Sequence, residues 1–524
     1  MHLFSFLSLF FLPLCLSYKV IVFSPAVGAS HSNFLGKISD ILLDAGHNVT
    51  LFIPILLEKE KHLVGSKKVQ NIVRVAQDPR ASSLMKEMKI DEILRKASWE
   101  MNNDFFSIYK IFNTMNIATG YQCEYIFQQP ELLDQLQAEQ FDLAIAESLY
   151  VCAHAFFERI QVKTFINADS TIFQHSAKIA LGEPASTSYY PSLFTSFTDK
   201  MGFLQRAQNF LDFQMGKFFT TTRYQYELAH LNTNWEQYWD KVAFNFVNSN
   251  SFLDFPSPTL PKTIFVGGMQ VATRKTDVKL SEKWDNFLNK KQKNVLISFG
   301  SVFYSSQMPA EYKAAFLKVF ESMPDVTFIW KYEEANSTIA SHLENVILTT
   351  WMPQNDLLAD KRLSLFITHG GLGSTTELAY QGKPAIVIPL IGDQPRNARM
   401  LARHGGALQL EKSQLNEPEI IKKAIETVLT DPSYKTNAKR LADILDQQPY
   451  KPKDVVLKHC DFAVQFGNLK TLDSEGRNQN FIVYNSLDIA FAGLVAIVIL
   501  LLFFELGIKL IFRVVRNKTK LKHQ

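Results

Sequence analysis

The feature that most restricts the fold of this chain is the repeated order of strand, loop, helix and strand. Residues 19–23 form an apolar run typical of a buried strand, and residues 32–44 carry apolar side chains at helical spacing. Gly46 fits the position just past the end of that helix, and residues 49–53 have the pattern of the next strand. This βαβ order predicts an α/β fold with parallel strands.

A second α/β unit follows a segment punctuated by proline. Residues 252–261 contain Pro256, Pro258 and Pro261 and are the best candidate for a linker. The predicted strands beyond this segment are 294–299, 345–350, 363–367 and 384–389, and the predicted helices are 375–381 and 396–404. The predicted domains are therefore 18–262 and 263–486.

The two ends of the chain predict a membrane protein with a defined orientation. Residues 1–17 are largely apolar but too short to span a bilayer, which is typical of a signal peptide. Residues 487–508 are predicted to be a transmembrane helix, because Glu505 is the only charge between residues 489 and 508. The basic residues 509–524 follow directly, so the sequence predicts a cytosolic tail and single-pass type I topology.

The basic tail and two glycosylation sequons indicate the cellular compartment, which we predict to be the endoplasmic reticulum. Lys520 and Lys522 resemble the dilysine signal that returns membrane proteins to the endoplasmic reticulum, and ordinary positive charge beside a membrane is the alternative interpretation. We predict the endoplasmic reticulum membrane, with the body of the chain in the lumen. Asn48 and Asn336 could carry glycans there if they are exposed.

Charge and cysteine content exclude several classes of protein. Six of the 55 Lys and Arg residues lie in the last 16 residues, so the rest of the chain has slightly fewer bases than its 51 acids. A body this close to neutral is not that of a nucleic-acid binder. Outside the predicted signal peptide, Cys123, Cys152 and Cys460 have no CxxC spacing, which argues against a zinc site and leaves one disulfide open.

Two residues at predicted strand ends in the first unit suggest acid–base chemistry. His31 lies between the first strand and the first helix, where the helix dipole favours a neutral imidazole, as a general base requires. Glu147 closes the buried strand 141–146, and in a parallel sheet it would lie on the same edge as His31. A carboxylate on one ring nitrogen would fix the tautomer of the histidine. Taken singly, each has a structural explanation as a helix cap or a surface acid.

The second unit has a glycine-rich segment suited to phosphate. Residues 368–375 follow a strand and open a helix, where backbone N–H groups bind anions. The segment matches neither GxGxxG nor a P-loop, which disfavours a dinucleotide oxidoreductase and a P-loop NTPase. His369 would donate to a pyrophosphate leaving group, and Ser301 follows the strand 294–299.

Further residues in the second unit suit the rest of a nucleotide-sugar. Glu377 can accept from ribose hydroxyls, Asp393 and Gln394 can bind sugar hydroxyls, and Trp351 offers a flat face to a base. No Asp-x-Asp occurs, so a metal-dependent sugar-nucleotide enzyme is disfavoured. We therefore predict no metal and no cofactor.

Residues 351–394 closely resemble the donor-binding signature of the UDP-glycosyltransferases. The residues that match are Trp351, Met352, Pro353, Gln354, Leu357, Leu358, His369, Gly370, Gly371, Ser374, Glu377, Asp393 and Gln394. Gly28, Ser30 and His31 resemble the N-terminal segment of that family, and residues 265–268 resemble its interdomain entry. Tyr484, Ser486, Leu487 and Asp488 resemble the membrane-bound UDP-glucuronosyltransferase branch.

The resemblance implies a GT-B fold, in which two Rossmann-like domains face a cleft, and it implies a role for each site residue. His31 would take the proton of an acceptor hydroxyl in the N-terminal domain, and Glu147 would orient His31. The donor would be bound in the C-terminal domain by Ser301, Trp351, Gln354, His369, Gly371, Gly373, Ser374, Glu377, Asp393 and Gln394. The implied reaction inverts the anomeric carbon and releases UDP.

This chain departs from the family pattern at two positions. Glu147 stands where the family usually has aspartate, which adds a methylene to the partner of the histidine. Gly373 stands where many members have asparagine, which leaves only backbone N–H groups for phosphate at that position.

The sequence therefore predicts a transferase that moves a sugar from a UDP-sugar to a small lipophilic acceptor. The branch suggests glucuronic acid, and glucose is the main alternative. A catalytically silent carrier of a lipophile or UDP-sugar would bind UDP without turnover, and an adhesion or receptor domain would not bind UDP. The sequence leaves open the acceptor and whether the chain forms a homo-oligomer.

Overall fold

The computed structural model describes residues 17–90, 99, 105–172, 175–271 and 279–521. The predicted signal peptide, apart from Ser17, lies outside these ranges, as does Lys522 of the predicted dilysine signal.

Seven parallel strands form the first sheet. They are β1 (Lys19–Phe23), β2 (Asn48–Pro54), β3 (Asn71–Val75), β4 (Leu143–Ala146), β5 (Phe165–Asp169), β6 (Val242–Val247) and β7 (Thr263–Phe265). Their order across the sheet is β3-β2-β1-β4-β5-β6-β7. Phe23 at the end of β1 pairs with Ala146 at the end of β4, so the residues that follow these two strands share one edge.

The helices of the first unit surround this sheet. They are α1 (Ala29–Asp44), α2 (Pro79–Glu87), α3 (Phe105–Phe127), α4 (Pro130–Ala138), α5 (Val151–Arg159), α6 (His175–Leu181), α7 (Phe203–Leu228) and α8 (Glu236–Trp239). Helix α1 begins three residues before the predicted start, so His31 lies within its first turn. Gly46 follows α1 with a φ of 93°, which is the left-handed conformation expected of a glycine after a helix.

The second unit repeats the architecture with six parallel strands in the order β10-β9-β8-β11-β12-β13. The strands are β8 (Lys293–Ser298), β9 (Val326–Lys331), β10 (Val346–Thr349), β11 (Leu363–Thr368), β12 (Ala385–Val387) and β13 (Ala407–Gln409). The helices are α9 (Glu282–Leu288), α10 (Ala310–Glu321), α11 (Gln354–Ala359), α12 (Leu372–Gln381), α13 (Gln394–Ala402), α14 (Pro418–Thr430) and α15 (Pro432–Asp446). The chain then returns to the first unit through α16 (Pro452–Phe466), where Val456, Cys460 and Ala463 join its core.

The predicted domain boundary at residues 262/263 and the predicted linker need correction. Strand β7 pairs with β6, so the first sheet continues to Phe265. Within the predicted linker, Asp254 and Phe255 are buried. Three residues of strand give too little periodicity to be recognised in a sequence, and the prolines mark turns of an ordered segment.

The C-terminal part ends in two helices, α17 (Phe481–Tyr484) and α18 (Leu487–Leu521). Of the helices in the described ranges, α18 alone is long and apolar enough to cross a membrane, over Leu487–Asn517, and its most apolar window is wholly exposed. It continues past the predicted end at residue 508 because the basic residues that follow are good helix formers.

Cys123 and Cys152 form a disulfide between α3 and α5, and Cys460 is a buried free thiol. The sequence left open whether one disulfide forms, and the structure shows that it does. Such a bond suits a compartment outside the cytosol.

Replacing both bridged cysteines by alanine is expected to lower the free energy of unfolding by about 3 kcal/mol, because the bridge closes a loop with a sequence separation of 29. Urea unfolding of the full chain in detergent, followed by tryptophan fluorescence, measures the loss. Reductant should destabilise the wild type by a similar amount and leave the double variant unchanged. A double variant as stable as the oxidised wild type would refute the expectation.

Candidate active site

His31 and Glu147 meet at the edge of the first sheet. The Nδ1 atom of His31 lies 2.7 Å from Oε2 of Glu147. The Ser170 backbone N–H donates to Oε1 of the same carboxylate at 2.8 Å, so both carboxylate oxygens are engaged. Glu147 is buried, whereas the His31 side chain keeps about a quarter of its surface exposed (23%). The longer side chain of glutamate thus reaches the histidine, and Nε2 is left as the ring nitrogen that can take a proton.

The electrostatics of this pair differ from the expectation of a neutral histidine. Burial lowers the pKa of His31, but the charge and hydrogen bond of Glu147, with Asp393, outweigh it and raise the pKa above its ordinary value. Burial raises the pKa of Glu147, but the charge and hydrogen bond of His31, with Ser170, outweigh it and hold that pKa below its ordinary value. The carboxylate therefore outweighs the effect of burial and stabilises the protonated imidazole.

Ser170 is a third member of this cluster that the sequence reasoning missed. Its Oγ lies 2.9 Å from Nδ1 of His31, and it directly follows β5, the strand beside β4. The neighbouring Asp169 is buried and accepts from the Ser148 backbone N–H at 3.1 Å, and burial raises its pKa to about 7. A polar pair at the carboxyl end of a buried strand was the signal that could have identified both residues.

Replacing Glu147 by glutamine is expected to move the acid limb of the kcat/KM profile to lower pH. The base acts in its neutral form, so activity rises as the pH passes through the raised pKa of His31. When the carboxylate is removed, the effect of burial remains and lowers that pKa. Steady-state rates from pH 5 to 9 measure the limb. Glu158→Gln, which removes a half-exposed carboxylate paired with Lys241, is the matched control. An unchanged limb in Glu147→Gln would refute the expectation.

His369 occupies a slot between two glycines in the second unit. A Cβ on Gly300 would lie 2.7 Å from its imidazole, and one on Gly371 would lie 2.6 Å from its Nε2. Gly300 also has a φ of 87°, so no other residue fits there easily. Burial, with the charge of Lys331, lowers the pKa of His369 to about 4, so the ring is neutral at pH 7 and can donate one N–H.

The loop after β8 brings Ser301 to the same place. Gly300 lies against the His369 ring, so Ser301 follows at the edge of this slot. Lys331 donates from Nζ to the Gly300 carbonyl, and it was not identified from the sequence. Its ammonium group places a positive charge beside the predicted phosphate site.

Gln354, Ser374 and Glu377 form one hydrogen-bonded group. Gln354 Nε2 donates to Oε2 of Glu377 at 2.6 Å and to Oγ of Ser374 at 3.0 Å. Asn355, also not identified from the sequence, donates to the other Glu377 oxygen at 3.0 Å. Burial raises the pKa of Glu377, against the opposing effect of the two amides. A carboxylate held this way has lone pairs that can accept from a pair of hydroxyls.

Trp351, Asp393 and Gln394 complete the predicted donor set. The Trp351 side chain is 68% exposed just after β10, so it is not a core residue and its ring face is open. Asn397 donates to Oδ2 of Asp393 at 2.8 Å, and Oε1 of Gln394 accepts from the Leu390 N–H at 2.8 Å. The amide NH₂ of Gln394 thus remains the group that can bind a ligand. Asp393 lies near enough to His31 to raise its pKa, which links the two units across the cleft.

A family model described as "UDP-glucoronosyl and UDP-glucosyl transferase" matches residues 19–522. The chain belongs to the UDP-glycosyltransferase family. It is 29% identical over 469 residues to human UDP-glucuronosyltransferase 3A2, covering 86% of this chain and 85% of the human protein. It is 26% identical over 488 residues to UDP-glucuronosyltransferase 2C1 of Oryctolagus cuniculus, covering 88% and 92%.

Solved structures confirm the GT-B fold of this UDP-glycosyltransferase. Os79 from O. sativa, in complex with U2F and trichothecene, superimposes with a TM-score of 0.57 at 16% identity, over 86% of this chain and 100% of that chain. Phytolacca americana UGT2, in complex with UDP-2fluoro-glucose and pterostilbene, gives 0.55 at 15% identity, over 86% and 100%. The enzyme class and the use of a UDP-sugar as co-substrate follow from the family.

Two remaining features of the donor half bear on the chemistry of a UDP-glycosyltransferase. A Cβ on Gly373 would meet no atom within 4 Å, so the N-terminus of α12 is open to a ligand at this position. Within the described ranges, no group of three or more His, Cys, Asp or Glu side chains is arranged to hold a metal ion. Groups that can donate hydrogen bonds to a diphosphate here are His369, Lys331 and the backbone of α12, and Lys331 also contributes a positive charge.

Proposed function

We propose that this UDP-glycosyltransferase transfers glucuronic acid from UDP-glucuronic acid to a hydroxyl of a small lipophilic acceptor. The observation that carries the proposal is the contact of His31 with Glu147 at 2.7 Å, with the charge of Asp393 in the donor half acting on the same imidazole. A base oriented by a carboxylate, next to a sugar-binding residue, is the arrangement that direct transfer to a hydroxyl needs.

In the proposed step, Nε2 of His31 takes the acceptor proton as the acceptor oxygen attacks the anomeric carbon. The bond from that carbon to the diphosphate oxygen breaks, UDP leaves with the electron pair, and the anomeric configuration inverts. Glu147 and Ser170 hold the imidazole by Nδ1 and stabilise its protonated form. His369 and the N-terminus of α12 stabilise the charge that develops on UDP.

UDP-glucose is the second candidate donor. The names of the two relatives support glucuronic acid. Asp393, however, places a carboxyl group at the proposed sugar position, and an ionised hexuronate there would be repelled more than a neutral hexose. The donor is therefore the first property to be tested.

We also propose that the enzyme is anchored in the endoplasmic reticulum membrane with its body in the lumen. The apolar helix α18, the bases that follow its apolar part and the disulfide support this orientation. A lipophilic acceptor would concentrate in the same membrane. Asn48 and Asn336 are exposed, as glycosylation in that lumen requires.

The test uses membranes that contain the full chain, a panel of lipophilic phenols and the two UDP-sugars in parallel, with conjugates detected by mass spectrometry. A hexuronate adduct that requires His31 is the expected result. A hexose adduct that requires His31 would support the proposed mechanism and show that the donor is UDP-glucose. Binding of UDP without any adduct across the panel would contradict the proposed transfer and favour a carrier.

A further inference from the structure

One face of helix α7 carries large apolar side chains that are exposed to solvent. Phe203, Leu204 and Leu211 are 74%, 79% and 61% exposed, and Phe210 and Phe218 are exposed as well. At 3.6 residues per turn, these five side chains fall within about a third of the circumference of the helix. A stripe of this width is what a helix normally turns toward a protein core.

The outward direction of this stripe is fixed by packing on the opposite side of α7. Asn209 and Phe213 are buried there. Asn209 Nδ2 donates to the carbonyls of Thr187 and Tyr190 at 2.7 and 2.9 Å, and its Oδ1 accepts from the Ser192 N–H at 2.7 Å. The helix is therefore held by a buried amide that uses both of its polar atoms, and the apolar stripe faces away from the protein.

The stripe ends before the C-terminal part of α7. Thr221 and Gln225 continue the same face with polar side chains. The apolar part thus runs from Phe203 to Phe218, about 22 Å of helix, and Gln214 is the one polar side chain on this face within it. Arg206 and Lys217 flank it on one side, where long basic side chains can reach lipid headgroups.

The candidate membrane helix α18 begins beside the segment that holds α7. Tyr484 donates from its hydroxyl to the Gly182 carbonyl at 3.4 Å, and α18 starts three residues later. Gly182 precedes the loop of Thr187 and Tyr190, which binds Asn209 of α7. Phe481, directly before the anchor, is 67% exposed. The start of α18 and helix α7 therefore both contact one stretch of chain, residues 182–192.

We propose that the apolar stripe of α7 lies in the interface of the bilayer that holds α18. The inference rests on the proposed membrane anchoring. It gives the acceptor a route, because the C-terminal part of α7 reaches the catalytic loop, where the Tyr224 hydroxyl donates to the Ser148 carbonyl next to Glu147. A lipophilic acceptor dissolved in the membrane would thus enter the acceptor domain along α7.

The first test measures contact with lipid in nanodiscs that contain the full chain. Leu204→Cys and Leu211→Cys are labelled with the NBD fluorophore and exposed to spin-labelled lipids, and Gln225→Cys on the same face is the matched control. Cys15, in the predicted signal peptide, is replaced by serine in every labelled variant. Labelling of the described part of the chain is then selective, because Cys460 is buried and Cys123 is bridged to Cys152. We expect quenching several-fold stronger at positions 204 and 211 than at 225.

A label at Val495→Cys in α18 separates this inference from the anchoring on which it rests. Quenching at 495 without quenching at 204 or 211 would overturn the inference and leave the anchor intact. Energy transfer between labels at 204 on two chains, without lipid quenching, would overturn it in favour of a second copy of the chain as the partner.

A kinetic test uses the double variant Leu204→Asp/Leu211→Asp, with unchanged circular dichroism as the check on folding. We expect the apparent KM of a bilayer-dissolved phenol to rise about tenfold, whereas the KM of a water-soluble phenol and kcat for both stay within about twofold. Equal rises for both phenols would overturn the proposed route.

Discussion

Replacing His31 by alanine is expected to lower kcat about 10³-fold, because no other group takes the acceptor proton as the bond to the sugar forms. Binding of UDP should change little, since the groups proposed to bind the nucleotide lie in the second unit. Glu147 remains hydrogen-bonded to the Ser170 N–H in this variant, so the fold should survive. Single-turnover rates and titration calorimetry with UDP measure the two effects separately.

Two further variants separate catalysis from structure in this prediction. His31→Gln preserves a donor toward Glu147 and should be as inactive as His31→Ala but at least as stable. Ser170→Ala removes one contact to Nδ1, at 2.9 Å, and keeps the base, so its kcat should fall much less. A rate of His31→Gln within tenfold of the wild type would show that His31 is not the base.

The grouping of side chains at the carboxyl edge of each sheet was predictable. Parallel strands end at the same edge, so the residues that follow neighbouring strands lie close together. His31 after β1 and Glu147 after β4 meet because Phe23 pairs with Ala146, and a pattern of buried strands in the sequence is enough to predict that. The glycine-rich segment before α12 was predictable for the same reason, because the chemistry of a strand–loop–helix connection is local.

Features that depend on contacts distant in sequence were not predictable. The raised pKa of His31 follows from the short distance to a buried carboxylate, whereas the sequence shows only the helix terminus. Lys331 reaches Gly300 from the end of the adjacent strand β9, a contact that no spacing reveals. The outward stripe of α7 looks in the sequence like any core-facing helix, because periodicity does not say which way a face points.

Segment 252–261, at the domain interface, also makes a contact distant in sequence that could not be predicted. Its prolines indicate a linker, and the structure shows that Asp254 within it forms an ion pair with Arg396 of α13, Nη2 to Oδ1 at 2.7 Å, with both side chains buried. Arg396 also donates from Nε to the Pro191 carbonyl at 3.1 Å, between the rings of Tyr190 and Phe255. Arg396 thus places a buried cation between the acceptor domain and the helix that begins with Gln394.

Arg396→Met is accordingly expected to lower the free energy of unfolding by about 3–5 kcal/mol, because it leaves the Asp254 carboxylate buried without its counter-charge. Urea unfolding of the full chain in detergent measures the loss. Arg399→Met is the matched control on the same helix, because Arg399 is only partly buried and donates to the Ser196 carbonyl, a bond worth about 1 kcal/mol. Equal losses of unfolding free energy in the two variants would show that the buried ion pair stabilises the fold no more than an ordinary hydrogen bond does.

The double variant Arg396→Met/Asp254→Asn tests the cause of that loss. The introduced amide side chain would carry no charge to leave unpaired, and its oxygen could still accept from the Phe255 N–H, which donates to Asp254 at 2.6 Å in the wild type. The double variant should therefore recover more than half of the lost stability. Because α13 follows Asp393 directly, the single variant should also raise the KM for the UDP-sugar more than it lowers kcat, as expected if the ion pair positions the sugar-binding end of the helix.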